Sequence, residues 1–353
     1  MVPMDLDDPL SLQQLDQQNM LAEIDHLPDQ LGAAWEMGTR SPLPAWQDIQ
    51  RVVIAGMGGS AIAADLLAAY LLPTCTVPIF VHRDYGLPAW AHGPETLLIA
   101  SSHSGNTEET MDAFDTGFKR QCRLMLISTG GQLAARASQA GAQVWLFKHK
   151  SQPRAAVGHS FGLLLAIFSR LGFAPDPSIE ISSTLAEMRT QQKLLMPEIP
   201  ASQNPAKRLA GQLVGRWINI IGSGVLAPVA RRWKGQFNEL AKAGAGFDSL
   251  PEADHNTLAG LTNPEGPLSN TATIFLRAGS DHGRNQLRNK LTQKTFMLAG
   301  LNTNDYSAPG ETPLAQQWSA LHFGDYLAYY LALAYREDPT PILSIQDFKQ
   351  QLG

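Results

Sequence analysis

Cysteine is scarce in this chain of 353 residues: Cys75 and Cys122 are the only two, and they form no C-x-x-C pair. Neither a disulfide framework nor a thiolate zinc site is therefore indicated, and the usage suits a reducing compartment. Basic clusters are missing as well. No run of five Lys or Arg occurs, the net charge is -5 and the isoelectric point is near 6.0, so nucleic acid is not expected as the main partner. No segment reaches about 18 uninterrupted apolar residues, which argues against a membrane span. The first eight residues are acidic rather than basic, unlike a targeting leader. The nine histidines show no H-x-H, H-x-x-x-H or H-E-x-x-H spacing and give no metal signal. A soluble, cytoplasmic protein with no metal, nucleic-acid or membrane partner is the expectation.

What is present is a repeated alternation of strands and helices. Residues 11–40 are Gln-rich, with Leu15, Met20, Leu21, Ile24 and Leu27 at helical spacing, and read as one or two helices packed on a first domain. Arg51–Ala55 is a short β-branched run followed by Gly56-Met57-Gly58-Gly59-Ser60 and an apolar helix from Ala61 to Leu72. Strand, glycine turn and helix begin a βαβ unit. Further strand-like runs follow at Val77–Val81, Thr96–Ala100, Leu124–Ile127 and Val144–Phe147.

The second half repeats the plan. Trp217–Ile221 leads into Gly222-Ser223-Gly224 and a helix from Leu226 to Ala243. Thr271–Ser280 then matches the Thr96 strand, and Thr295–Leu298 parallels Leu124–Ile127. The fold class is therefore α/β, with two doubly wound parallel-sheet domains related by internal duplication, N-terminal helices and a C-terminal helix. The expected segments are 1–40, 41–195 and 196–353, with the Pro-containing stretch Met196–Asn204 as the linker.

The most informative stretch is Thr96 to Thr110, where a buried strand breaks into a hydroxyl-rich turn and opens a helix. Ser102, Ser104 and Thr107 offer three side-chain donors, Gly105 admits close backbone approach, and the first helical N–H groups are free for an anion. Helix capping by Ser104 or Thr107, with Glu108 and Glu109 in the first turn, is the competing explanation. One hydroxyl suffices for a cap, and three in six residues favour a phosphate site. In the second half Asp281-His282-Gly283-Arg284 replaces that pattern. Gly56–Ala61 and Gly222–Ala227 also satisfy G-x-G-x-x-A. A ribose-binding acid about 20 residues on is not well supplied: Asp84 comes late and Glu239 lies in a helix. Two neighbouring hydroxyl-bearing turns describe a monoester phosphate better than a dinucleotide, so no cofactor is expected.

GMGGSAIAADLL, SSHSGNTEET, PRAAVGHS, FNEL and PEADHN, in this order, resemble the bifunctional phosphoglucose/phosphomannose isomerase family of the sugar isomerase (SIS) superfamily. The resemblance implies two SIS domains and phosphate contacts at Gly59, Ser60, Ser102, Ser104 and Thr107. It also implies a catalytic arginine at Arg154, a base at Glu239, a ring-opening histidine at His255 acting across a homodimer, and a C-terminal lysine at Lys349. The implied reaction is metal-independent aldose–ketose isomerisation of glucose 6-phosphate and mannose 6-phosphate with fructose 6-phosphate. Isomerisation of another phosphosugar and noncatalytic sugar-phosphate binding are the alternatives. His103 departs from the pattern, where an aromatic residue such as Tyr is more usual. Residue patterns alone would not select Arg154, Glu239, His255 or Lys349. Glu239 lies opposite the apolar stripe of Leu226, Val229, Ala230, Trp233, Phe237, Leu240 and Ala241, and Asp254-His255-Asn256 reads equally as a helix N-cap.

Overall fold

A computed structural model describes residues 5–8, 12 and 14–352; residues 1–4, 9–11, 13 and 353, which fall in the expected 1–40 and 196–353 segments, lie outside the described residues. The chain divides into two units, one of Leu27–Leu185 and one joining Met1–His26 to Ala186–Gly353. The first helix with both bounds described, α1 (Met20–Asp25), belongs to the latter, and α2 (Leu27–Arg40) opens the former.

In the Leu27–Leu185 unit five strands are β1 (Arg51–Ala55), β2 (Ile79–His82), β3 (Thr96–Ser102), β4 (Arg123–Ser128) and β5 (Gln143–Leu146). All pairings are parallel and the spatial order is β2-β1-β3-β4-β5. Every residue of β3 is buried. A strand covered on both faces reads as a continuous run rather than an alternation, which is why its sequence was so legible. Around the sheet run α3 (Gly58–Leu71), α4 (Glu108–Lys119), α5 (Gly131–Gln139) and α6 (Val157–Arg170). Helices α2 and α6 pack through small residues. A Cβ on Gly162 would lie 2.7 Å from that of Ala34, and one on Gly158 3.1 Å from the Leu31 nitrogen.

Helix α7 (Ser178–Gln192) contains the division between the units. The other unit holds α8 (Pro205–Leu213), α9 (Ala227–Glu239), α10 (Glu265–Ser269), α11 (Gly283–Leu298), α12 (Pro313–Ala334) and α13 (Leu343–Leu352). Its strands are β6 (Trp217–Ser223), β7 (Ala245–Leu250), β8 (Thr271–Arg277) and β9 (Asn302–Ser307), parallel in the order β7-β6-β8-β9. One particular differs from the sequence reading. Thr295–Leu298 ends helix α11, with Phe296 edge-on to Phe275 in the core, and the fourth strand is instead the edge segment Asn302–Ser307. Asn-Thr-Asn-Asp-Tyr-Ser carries no apolar run, because an edge strand is largely solvated and needs none. The division between the two units falls inside α7. Within Met196–Asn204, the Asn204 side chain caps α8 and donates to the carbonyls of Leu195 and Met196.

Helix α12 is buried from Leu314 to Ala334. Among the described residues no helix is long and apolar enough to cross a membrane; α12 is instead a core helix that carries polar groups inward. Asp325 accepts from Arg232 Nη2 (2.9 Å), Arg232 Nε (3.2 Å) and Gln236 Nε2 (2.8 Å), which fastens α9 to α12. His322 lies 2.8 Å from the Ile24 carbonyl through Nε2. Its burial outweighs that bond and the nearby Asp325 charge, and holds its pKa down at about 4.

The unfolded ring takes up a proton below about pH 6.5 while the folded ring stays neutral to about pH 4. Stability from this group is thus complete above pH 6.5 and is lost as pH falls toward 4, by roughly 1.4 kcal/mol per pH unit. Urea unfolding at pH 7.5 and 4.5 should show wild type losing stability relative to His322→Gln. An equal loss in both proteins would mean that His322 is already protonated in the fold.

Candidate active site

In the Leu27–Leu185 unit the chain passes from β1 outward to β2 and then returns to β3 on the other side of β1. The carboxyl ends of β1 and β3 therefore flank a topological switch point, where open parallel sheets leave a crevice for ligands. The turns Gly56–Ser60 and Ser102–Thr107 follow these two strands. A Cβ on Gly56 would lie 2.7 Å from the Ser101 carbonyl oxygen and 3.3 Å from Ser60 Cβ, so the two turns meet.

The hydroxyls of the second turn bond across it. Ser102 Oγ donates to Thr107 Oγ1 (3.0 Å) and accepts from the Gly105 N–H (3.1 Å), while Ser104 Oγ accepts from the Asn106 N–H (3.2 Å). Thr107 is the N-cap residue of α4 by position, yet its side chain makes no capping bond. Because Thr107 Oγ1 accepts from Ser102, its own hydrogen is left to donate. Capping does not account for these hydroxyls.

A third turn braces the arrangement. Gly105 has φ 66°, and a Cβ there would overlap the Gly130 carbonyl oxygen. Leu133 N–H donates to the Gly105 carbonyl (2.9 Å), Thr129 Oγ1 to the His103 carbonyl (2.7 Å) and Gln132 N–H to Asn106 Oδ1 (2.9 Å). On the other side, a Cβ on Gly59 would lie 2.5 Å from the Pro153 carbonyl oxygen and 3.2 Å from Arg154 Cα. Gly59 thus lets the start of α3 seat against the 3₁₀ turn Pro153–Ala156, and Arg154 in that turn is 3% exposed. Gly59, Ser60, Ser102, Ser104, Thr107 and Arg154 are gathered by the three strand-end turns and this 3₁₀ turn. Oriented hydroxyls and helix N-termini can hold a tetrahedral oxyanion.

His103, the odd residue of the turn, has a structural setting that the sequence did not reveal. Its Nε2 lies 2.8 Å from His149 Nδ1, its ring meets Phe147 edge-on, and His149 in turn meets His159 with centroids 5.7 Å apart. His149 and His159 were missed because they lie 46 and 56 residues on from His103, and no local spacing signals the group. Among the described residues no group of three or more His, Cys, Asp or Glu could hold a metal.

The other unit carries the remaining three residues on separate elements. The stripe from Leu226 to Ala241 is buried as its spacing predicts, and Glu239, the last residue of α9, is half-buried rather than fully solvated. His255 is exposed at the end of the 3₁₀ turn Glu252–His255. Its neighbours divide the work: Asn256 Oδ1 caps the next turn at the Thr257 N–H, whereas Asp254 accepts from Arg288 Nη1 (2.8 Å) and Thr292 Oγ1 (2.6 Å) of α11. Lys349 is exposed on α13, as its pattern suggests.

Residues 202–352 match the family model described as bacterial phospho-glucose isomerase C-terminal SIS domain. The chain is 37% identical over 336 residues to the bifunctional phosphoglucose/phosphomannose isomerase of Caldicellulosiruptor bescii, covering 95% of this chain and 99% of that one. It is 30% identical over 316 residues to the like-named protein of Aquifex aeolicus, covering 87% and 94%. Among solved structures it resembles a glucose-6-phosphate isomerase like protein from Thermus thermophilus, with a TM-score of 0.65 at 21% identity over 96% of this chain and 98% of the other; that likeness concerns the fold.

An anion in this crevice should depend on Thr107 without the helix doing so. Thr107→Val should melt close to wild type and bind inorganic phosphate roughly ten- to a hundredfold more weakly, the loss expected for one hydrogen bond to a charged group, about 1.5–3 kcal/mol. Calorimetric titration beside a thermal melt checks both. A lowered melting temperature with unchanged phosphate binding would make Thr107 a helix-end residue only.

Proposed function

The chain belongs to the bifunctional phosphoglucose/phosphomannose isomerase family, and from that premise we propose that it interconverts glucose 6-phosphate and mannose 6-phosphate with fructose 6-phosphate. The observation that carries the proposal is the hydrogen-bonded hydroxyl turn at the β1/β3 switch point, in a chain that matches family members over nearly its full length. A phosphate monoester suits that crevice, and a remote phosphate is what fixes a sugar relative to a base.

The chemistry follows from the residue types. The cyclic sugar first opens: the ring C–O bond breaks, the ring oxygen gains a proton and the anomeric hydroxyl loses one. His255 performs this exchange with Lys349. Glu239 then removes the proton from C2 of the aldose, giving a cis-enediolate, and the resulting carboxylic acid returns a proton to C1. Arg154 stabilises the negative charge that develops on the oxygens of C1 and C2. Overall one proton moves from C2 to C1 and a second from the C2 hydroxyl to the C1 oxygen, so C2 is oxidised as C1 is reduced and the scheme calls on no external redox partner. Glucose and mannose phosphates differ only at C2, and both lead to the same enediolate when rotation about C2–C3 offers either face to the base. Phosphate contacts come from Gly59, Ser60, Ser102, Ser104 and Thr107. The working assembly is a homodimer in the cytoplasm, with His255 reaching the site of its partner.

Purified protein incubated with EDTA and fructose 6-phosphate should yield both aldose phosphates by NMR. A single product would make it a specialist, and the absence of both would redirect attention to other phosphosugars or to a sensor. Glu239→Gln should abolish turnover while leaving substrate affinity nearly intact; more than a tenth of wild-type activity remaining would remove Glu239 as the base. Mixing inactive Glu239→Gln and His255→Ala proteins under subunit exchange should restore some activity, and no rescue would place His255 within its own chain's site.

A further inference from the structure

The two sheets share a frame at their switch points. Gly58 (φ 49°) and Gly224 (φ 53°) occupy matching turns after β1 and β6. Helix α4 starts six residues after β3 ends, from Ser102 to Glu108, and α11 starts six residues after β8 ends, from Arg277 to Gly283. Counting along these turns sets Arg277 where Ser102 stands, Asp281 where Asn106 stands and His282 where Thr107 stands. The substitutions close the turn itself to a phosphate. His282 Nδ1 caps α11 at the Arg284 N–H (3.1 Å). The Asp281 carboxylate accepts from Ser223 Oγ and the His282 N–H, and lies 2.7 Å from where a Cβ of Gly224 would be. The second G-x-G-x-x-A turn thus already faces an anion.

A cavity of about 310 Å³ nevertheless remains at these strand ends, lined among others by Ser223, Arg277, Asp281, Asn289, Lys290 and Ser307. That volume is at the lower end of small-molecule sites, about 300–1,000 Å³, and the carboxyl edge of a parallel sheet is where such sites form. We propose that this cavity is a second, noncatalytic ligand site that takes an anionic polyol, a compound with one acidic group and several hydroxyls. Within the lining Arg277 and Lys290 stand against Asp281, while Asp305, the ion-pair partner of Arg277, lies outside it; the lining thus carries one excess positive charge, which favours an acidic group. Arg277 is held ready: its Nε donates to Asn289 Oδ1 (3.1 Å) and its Nη2 to Gln293 Oε1, with Asp305 at 3.7 Å from Nη1. Those two hydrogen bonds use two of its five N–H donors and leave the others for a ligand. The Asp281 carboxylate has further lone pairs for ligand hydroxyls. Ala278 and Ala308 are the lining's apolar side chains.

The acidic group could be the phosphate of a phosphosugar or the carboxylate of a sugar acid. Calorimetric titration of the full chain with fructose 6-phosphate and, separately, gluconate tells them apart. One probe or both should bind at a site that Lys290→Glu weakens at least tenfold and Lys290→Arg retains; Lys290 is exposed, so these variants leave the fold intact. Gluconate alone showing that dependence assigns a carboxylate, fructose 6-phosphate alone a phosphate, and both a site indifferent to the acid. Binding at this site should survive Ser102→Ala, and Lys290→Glu should leave kcat/KM unchanged, which separates this site from the proposed active site. No binding of either probe that depends on Lys290 would overturn the proposal, whatever the outcome at Ser102.

Discussion

The close approach of backbone to backbone at the ends of β1, β3 and β4 governs the rest of the Leu27–Leu185 unit. Gly56 lies against the Ser101 carbonyl, Gly59 against Pro153 and Gly105 against Gly130, and each leaves no room for a side chain. Three turns and the Arg154 segment are thereby locked into one surface. The consequence is preorganisation: the hydroxyls of Ser102 and Thr107 are already bonded to each other, so a ligand need not order them. Interior packing density makes such contacts intolerant of even one added carbon.

Duplication separates frame from chemistry. The positive-φ glycines, the parallel register and the turn lengths recur in both sheets, and these are what a backbone needs to form a switch-point crevice. The side chains set on that frame are free to differ. Where one copy sets Ser102, Ser104 and Thr107 around an open turn, the other sets Arg277, Gly279 and His282 and fills its turn with the Asp281 carboxylate. A carboxylate fixed in this turn repels an anion that would enter the turn itself. The two turns thus differ in chemistry without any change of fold.

In the unit containing α12 the organising feature is a buried charge. Asp325, 4% exposed, gathers Arg232 and Gln236, one helical turn apart on α9. A paired and fully hydrogen-bonded buried charge fixes orientation more than it adds net stability. Trp233 strengthens the same seam by donating to the Ala320 carbonyl at 2.9 Å. The helix held in this way ends on Glu239, so the position of that carboxylate is set by a network one turn before it.

Sequence by itself determined the fold class, the strand and glycine-turn pairs, the hydroxyl turn and the apolar stripe of α9. Each of these is a local consequence of steric freedom or periodic burial, written in consecutive residues. Motif resemblance added Arg154, Glu239, His255 and Lys349, which no local pattern distinguishes. Only tertiary structure decided that Thr107 bonds to Ser102 instead of capping α4, that Gly59 makes room for the Arg154 turn, that His103 meets His149 and His159, and that a polar edge segment rather than Thr295–Leu298 supplies the fourth strand. All but the first depend on groups far apart in the chain coming within a few ångströms, and the free energy of such contacts belongs to the packed arrangement, not to any stretch of sequence.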